Sequence, residues 1–139
     1  MNRSVLALAL TCMACGSRAT TCPPAFEADV ARTKKLEALL ASDAEGERAL
    51  ASRGPNVTTC YRENGPGVVA ERTLLLDASA GDVELASRIA HLSLHLGSGQ
   101  TRTSGQSNSD DERQANALED GVRQRLSARA SRSGQSPGP

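Results

Sequence analysis

The chain has 139 residues, with 16 basic and 16 acidic side chains, no Trp, one Phe and one Tyr. This length allows one small domain, and the near absence of aromatic residues limits the apolar core that it can bury. A formal net charge of zero argues against a nucleic-acid-binding protein, because such proteins need a concentrated basic surface.

The first 14 residues have the features of a bacterial export signal. Arg3 precedes an apolar run from Val5 to Leu10, and small residues follow up to Ala14. The apolar run is too short to span a hydrocarbon core of ~30 Å, so we expect residues 1–14 to be removed rather than retained as an anchor.

The end of this signal resembles that of bacterial lipoproteins. In such signals a small residue precedes the cysteine that becomes the lipidated N-terminus, and Ala14-Cys15-Gly16 fits this pattern. Cys12 stands where Leu is usual, so the match is imperfect. The resemblance implies that Cys15 carries the lipid and that the protein lies in the cell envelope, facing the periplasm or the exterior. Plain secretion is the alternative.

Cysteine parity supports lipidation. If Cys15 is acylated, Cys22 and Cys60 are left to form one disulfide in an oxidising compartment. Cleavage after Ala14 without lipidation would leave three thiols and one of them unpaired. We therefore predict a Cys22–Cys60 disulfide, which a chain with so small a core needs for stability.

The mature chain predicts an α+β fold with three helices around a small β-hairpin. Residues 15–24 are a tether, residues 25–129 are a single domain, and residues 130–139 are a tail without the means to pack, which we expect to be disordered. The predicted elements follow one another as a helix over 25–52, a hairpin of strands 57–62 and 68–76 around the turn 63–67, a helix from about 79 to 97, a disordered polar loop to 109, and a third helix.

The second predicted helix carries both histidines of the chain. His91 and His95 are four residues apart, so they lie on one face of the helix, together with Arg88. Two histidines at this spacing can bind one Zn²⁺ ion, as in helical H-x-x-x-H sites. The spacing alone is weak evidence, because histidines at the edge of a packed helix need no metal.

The order of a hairpin, IAHLSLHL, a polar loop and DERQANALE resembles the zincin-like domain of the ImmA/IrrE metallopeptidase-like family. That family's helix typically reads H-E-L-G-H-L-L-L-H, and its next helix reads E-x-x-A-N. In this resemblance, His91 matches the second histidine of H-E-x-x-H, His95 matches a trailing histidine that is not a principal ligand, and Glu112 matches the downstream glutamate ligand. The resemblance covers residues 57–126.

Two departures from the family pattern imply a domain without catalysis. Ser87 stands at the position of the first metal histidine, and Arg88 stands at that of the catalytic glutamate. A guanidinium with a pKa above ~12 cannot act as a general base, and a serine hydroxyl is a poor zinc ligand. Glu112 has a further explanation, since it lies three residues after Ser109 and fits a capping box.

The leading interpretation is therefore an exported envelope lipoprotein with a catalytically inactive zincin-like domain that serves as a binding or structural module. It predicts no catalytic residue, no cofactor and no tightly bound zinc. It also predicts contact with the membrane through the lipid, an envelope protein as partner and no nucleic acid. The alternative is a metal-dependent hydrolase with zinc in a rearranged site of His91, His95 and Glu112.

Overall fold

A computed structural model describes residues 21–99 and 109–134. Within these residues, four helices and one four-stranded sheet form an α+β fold, which confirms the predicted fold class. The predicted signal, the lipidation site Cys15, most of the polar loop and the end of the tail lie outside the described residues.

The elements follow one another along the chain as β1 (Glu27–Ala28), α1 (Val30–Ala41), α2 (Ala44–Ser52), β2 (Thr58–Arg62), β3 (Val68–Ala70), β4 (Thr73–Asp77), α3 (Asp82–Gly97) and α4 (Ser109–Ser133).

Residues 25–52 form a short strand and two helices instead of the single predicted helix. The side chain of Asp43 accepts hydrogen bonds from the backbone N–H groups of Glu45 and Gly46, at 3.2 and 3.1 Å, and so caps the start of α2. This cap ends the helical pattern that the apolar spacing suggests. A Cβ atom at Gly46 would lie 2.4 Å from the backbone oxygen of Leu40, so the glycine permits the close approach of α1 and α2.

The sheet differs from the predicted hairpin of residues 57–62 and 68–76. The second of these segments is itself a hairpin of β3 and β4, with its reversal at Glu71, which has a φ of 53°. β2 pairs with β4 in parallel, and the strand order is β1-β2-β4-β3. Residues 63–67 therefore carry the chain past β4 to the far edge of the sheet.

α3 lies at the centre of the domain, where it contacts α1, α2, α4, β3 and β4. Its buried side chains point in most directions around the helix axis, as expected for a helix enclosed by other elements. The largest fully buried apolar side chains of the core are Leu36, Leu40, Leu74, Leu76, Leu85, Ile89, Leu92, Val122 and Leu126.

Two features tie peripheral segments to this core. The predicted Cys22–Cys60 disulfide is present and joins the segment before β1 to β2, with a Cα–Cα distance of 5.7 Å. From α4, Arg125 donates hydrogen bonds of 2.7 and 3.0 Å to the two carboxylate oxygens of Asp43. α4 continues to Ser133, beyond the domain boundary predicted at Arg129.

Candidate metal centre

α3 presents both histidines to α4. His91 and His95 are buried, and their rings are tilted against each other with centroids 4.8 Å apart. The Nε2 atoms of the two rings lie 3.1 Å apart. The i, i+4 spacing thus brings the same ring nitrogen of both residues to one point.

Glu112 reaches this point from the first turn of α4. Its Oε2 lies 3.1 Å from His95 Nε2, and its Oε1 lies 3.5 Å from His91 Nε2. The Glu112 side chain is 41% exposed, so it forms the solvent-facing side of the cluster. The structure therefore brings together the three candidate ligands that the sequence suggests, with one ligand atom of each within 4.8 Å of the others.

The donor set and its spacing fit a zinc ion. Zn–N bonds are about 2.0 to 2.1 Å long, so two imidazole nitrogens on one tetrahedral ion are about 3.3 Å apart. The observed separation of the His91 and His95 Nε2 atoms is 3.1 Å. Two imidazoles and one carboxylate are the protein ligands of one well-known class of zinc site, which leaves the fourth position open.

Glu119 is a carboxylate on the opposite side of the His91 ring. It is 5% exposed, and its Oε2 lies 3.0 Å from His91 Nδ1. The distance suits a hydrogen bond, but the direction of the ring N–H is not aligned for one. His91 therefore has a carboxylate close to each of its two nitrogens.

Arg88 supplies the positive charge that accompanies this buried carboxylate. Its Nη1 lies 3.2 Å from Glu119 Oε2, and Arg123 Nη1 lies 4.0 Å from Glu119 Oε1. Burial raises the pKa of Glu119, but the contact with His91 and the charges of Arg88 and Arg123 lower it by more, so the pKa lies below its ordinary value. Glu119 is therefore ionised at neutral pH, and Arg88 contacts this carboxylate.

The family resemblance places the first metal histidine at position 87, one helical turn before His91. Ser87, the expected counterpart of the first metal histidine, is buried and donates its hydroxyl to the backbone oxygen of Glu84 at 2.8 Å. His91 and His95 instead match the two histidines of H-x-x-x-H. Leu92, a core residue, then stands where H-E-x-x-H has its glutamate base.

The carboxylate of Glu112 is directed at the two histidines of α3. α4 already includes Ser109, which the capping box would place just before the helix, and both carboxylate oxygens of Glu112 approach histidine nitrogens.

Glu119 was not among the site residues suggested by the sequence. It lies between Ala115 and Val122 on the buried stripe of α4, seven residues after Glu112 and hence on the same helix face. An acidic residue within an apolar stripe was the available signal, because such a residue needs a charged partner when buried.

Comparisons with known proteins add no assignment to this geometry. No family model matches the chain, and neither do any curated proteins or solved structures. The similarity to the ImmA/IrrE family therefore stays a hypothesis based on short motifs. In the part of the chain that the structure describes, no helix combines the length and apolar character needed to cross a membrane.

Proposed function

We propose that this protein is an exported lipoprotein whose domain binds one zinc ion through His91, His95 and Glu112 and does not hydrolyse peptides. The observation that carries the proposal is the convergence of two Nε2 atoms and one carboxylate at a single point. A zincin-like outline is part of the proposal, because the histidines lie on a central helix and the glutamate on the next one.

The residues around the cluster favour binding over hydrolysis. A bound zinc ion in a site with an open position can polarise a carbonyl group and activate a water molecule, but peptidases of this type also use a carboxylate base beside the first histidine. Position 92 is a leucine within the core. Glu119 lies on the Nδ1 side of His91 and is paired with Arg88, so it is directed away from the Nε2 atoms.

Thiolate ligands do not compete with this donor set in the mature domain. Cys22 and Cys60 are joined in the disulfide, and a disulfide sulfur is a poor metal ligand compared with a thiolate. The site thus offers two nitrogen ligands and one carboxylate, a set that zinc accepts. The role that we propose is a zinc-stabilised module that binds a protein of the cell envelope.

Metal analysis of the purified mature domain tests the binding proposal. After dialysis against zinc and then against a weak chelator, we expect about one zinc ion per chain, and its loss in His91→Ala. The same preparations should leave a peptide library uncleaved. Zinc-dependent cleavage that His91→Ala abolishes would instead establish the alternative, a hydrolase with a rearranged site.

Lipidation is tested separately, because it does not depend on the metal. Intact mass of the membrane-extracted protein should show a chain that begins at Cys15 with added acyl groups. Cys15→Ser should release the protein from the membrane fraction, because the acyl chains supply the apolar partitioning energy. A mature chain of unmodified mass would exclude a lipoprotein.

A further inference from the structure

Glu119 and Arg88 form a buried pair directly behind His91. The Oε2 atom of Glu119 contacts both partners, His91 Nδ1 at 3.0 Å and Arg88 Nη1 at 3.2 Å. α4 therefore contributes two carboxylates to one imidazole, with Glu112 near Nε2 and Glu119 near Nδ1.

The two carboxylates favour different positions for the single ring proton of neutral His91, because each lies beside a different ring nitrogen. A neutral imidazole carries its proton on one nitrogen and a lone pair on the other. A buried carboxylate held by an arginine is a strong acceptor for an N–H group. His91 Nδ1 has no aligned hydrogen-bond partner among the described residues, and a rotation of the ring would direct an Nδ1–H group to Glu119 Oε2, which lies 3.0 Å away. A proton on Nδ1 leaves the lone pair on Nε2, where His95 and Glu112 converge.

We propose that Glu119, held in place by Arg88, is a positioning residue that keeps the proton of His91 on Nδ1 and so presents Nε2 as a metal ligand. Its role in metal affinity rests on the proposed zinc-binding function, whereas its effect on the tautomer does not. Carboxylates that accept a hydrogen bond from a metal-binding histidine commonly change metal affinity by about 10-fold to 100-fold. Arg88, which stands at the position of the catalytic glutamate in the family resemblance, here holds the carboxylate of Glu119 beside His91.

The tautomer can be measured without any metal. In the metal-stripped domain at a pH where His91 is neutral, long-range ¹H–¹⁵N correlation spectra of the imidazole distinguish Nδ1–H from Nε2–H. We expect Nδ1–H for His91 in the unaltered domain. A predominant Nε2–H form there would overturn the proposal without the need for any variant.

Variants of Glu119 then connect the tautomer to metal affinity. Glu119→Leu removes the acceptor, so we expect a shift of His91 towards Nε2–H and a zinc dissociation constant about 10-fold to 100-fold higher. Glu119→Gln keeps a weaker acceptor of the same size and should give an intermediate result. It also serves as the test if Glu119→Leu does not fold.

Two controls separate positioning from a general loss of structure. The control variant Asp120→Asn changes the exposed neighbour of Glu119, which pairs with Arg123, and should leave both the tautomer and the zinc affinity unchanged. Circular dichroism and urea unfolding of the metal-free variants report on the fold itself. An unchanged tautomer and affinity in a folded Glu119→Leu variant would contradict the role of Glu119.

If the unaltered domain binds no zinc, the proposed function fails, and so does the proposed effect of Glu119 on metal affinity. The tautomer shift in Glu119→Leu then decides alone whether Glu119 positions His91.

Discussion

Each nitrogen of the His91 ring has a different carboxylate beside it. Nε2 approaches Glu112, which is partly exposed, and Nδ1 approaches Glu119, which is buried beside Arg88. The ring thus lies between a partly exposed carboxylate and a buried one. His95 has its Nε2 atom at the same point but belongs to the next helical turn.

The two histidines should contribute equally to zinc binding. The family resemblance places His95 outside the ligand set, whereas the proposed zinc site uses it as the second ligand. We expect His95→Ala to weaken zinc binding by at least about 100-fold, as we expect for His91→Ala, because the loss of either leaves one imidazole. Competition with a chromophoric chelator measures both dissociation constants.

Ser93→Ala is the matched control for these substitutions. Ser93 lies between the two histidines on α3 and is fully buried, and its hydroxyl has no hydrogen-bond partner in the described structure. Its removal should leave zinc affinity unchanged and should not lower the stability appreciably. A His95→Ala variant that binds zinc as tightly as Ser93→Ala would show that His95 is not a ligand.

The ligand set was accessible from sequence, but its arrangement was not. The spacing of His91 and His95 places them on one helix face, and the motif after the polar loop marks Glu112. Which turn of α3 faces α4 depends on the packing of the two helices, and short motifs do not encode that. The position of Glu119 beside His91 and the contact of Arg88 with Glu119 depend on the same helix packing.

Among the elements, an ion pair between Asp43 and Arg125 connects the start of α2 to α4. The Oδ1 atom of Asp43 caps α2, and the same carboxylate accepts two hydrogen bonds from Arg125 of α4. The hydrogen bonds from Arg125 hold the pKa of Asp43 below its ordinary value. Asp43 therefore caps α2 and also binds α4 through Arg125.

Asp43→Asn should lower stability in a pH-dependent way. Because asparagine is also a good cap, the substitution mainly removes the charge that Arg125 binds, and we expect a loss of about 1 to 2 kcal/mol at neutral pH. The folded-state pKa of Asp43 is lowered, so its contribution is present above the ordinary value of 3.8 and is lost as the pH falls through the lowered value. Urea unfolding of both proteins across this range measures the difference, which should shrink below about pH 3.8.

Glu45→Gln is the control for this prediction. Glu45 is a second, more exposed partner of Arg125, and exposed ion pairs contribute little. Its effect should be small at every pH. A difference between Asp43→Asn and the unaltered protein that persists unchanged at low pH would show that the charge of Asp43 is not responsible.

The strands and the helix break show where local sequence signals were incomplete. Asp43 is a cap residue inside an apolar helical pattern, and periodicity alone extends the helix through it. The reversal at Glu71 has no glycine, proline or asparagine, so the second strand appears continuous from sequence. The parallel pairing of β2 with β4 is a long-range contact, which a reading of neighbouring strands as a hairpin cannot anticipate.

At the scale of the whole molecule, the domain combines a small aliphatic core with one covalent cross-link. The buried apolar residues include a single aromatic side chain, Tyr61. The disulfide closes a loop with a sequence separation of 38 residues. A cross-link of this span restricts the unfolded chain and so adds to the free energy of unfolding, to which the small core contributes little.

Removal of the disulfide should lower the free energy of unfolding by about 3 to 4 kcal/mol. Cys22→Ala is the suitable variant, because Cys22 is only partly buried and its replacement disturbs the packing less than that of Cys60, which is fully buried. Urea unfolding of the variant, with the unaltered protein under reducing conditions as a second comparison, measures the change. Equal stability with and without the bridge would mean that the core alone holds the fold.

X-ray absorption spectroscopy of the zinc-loaded mature domain tests the central proposal most directly, because it reports the ligands themselves. We expect a first shell of nitrogen and oxygen at about 2.0 to 2.1 Å, outer-shell scattering from two imidazoles, and no sulfur. His95→Ala should remove the signal of one imidazole or abolish binding. A shell containing sulfur, or a zinc signal unaffected by substitution of both His91 and His95, would contradict a metal centre built from His91, His95 and Glu112.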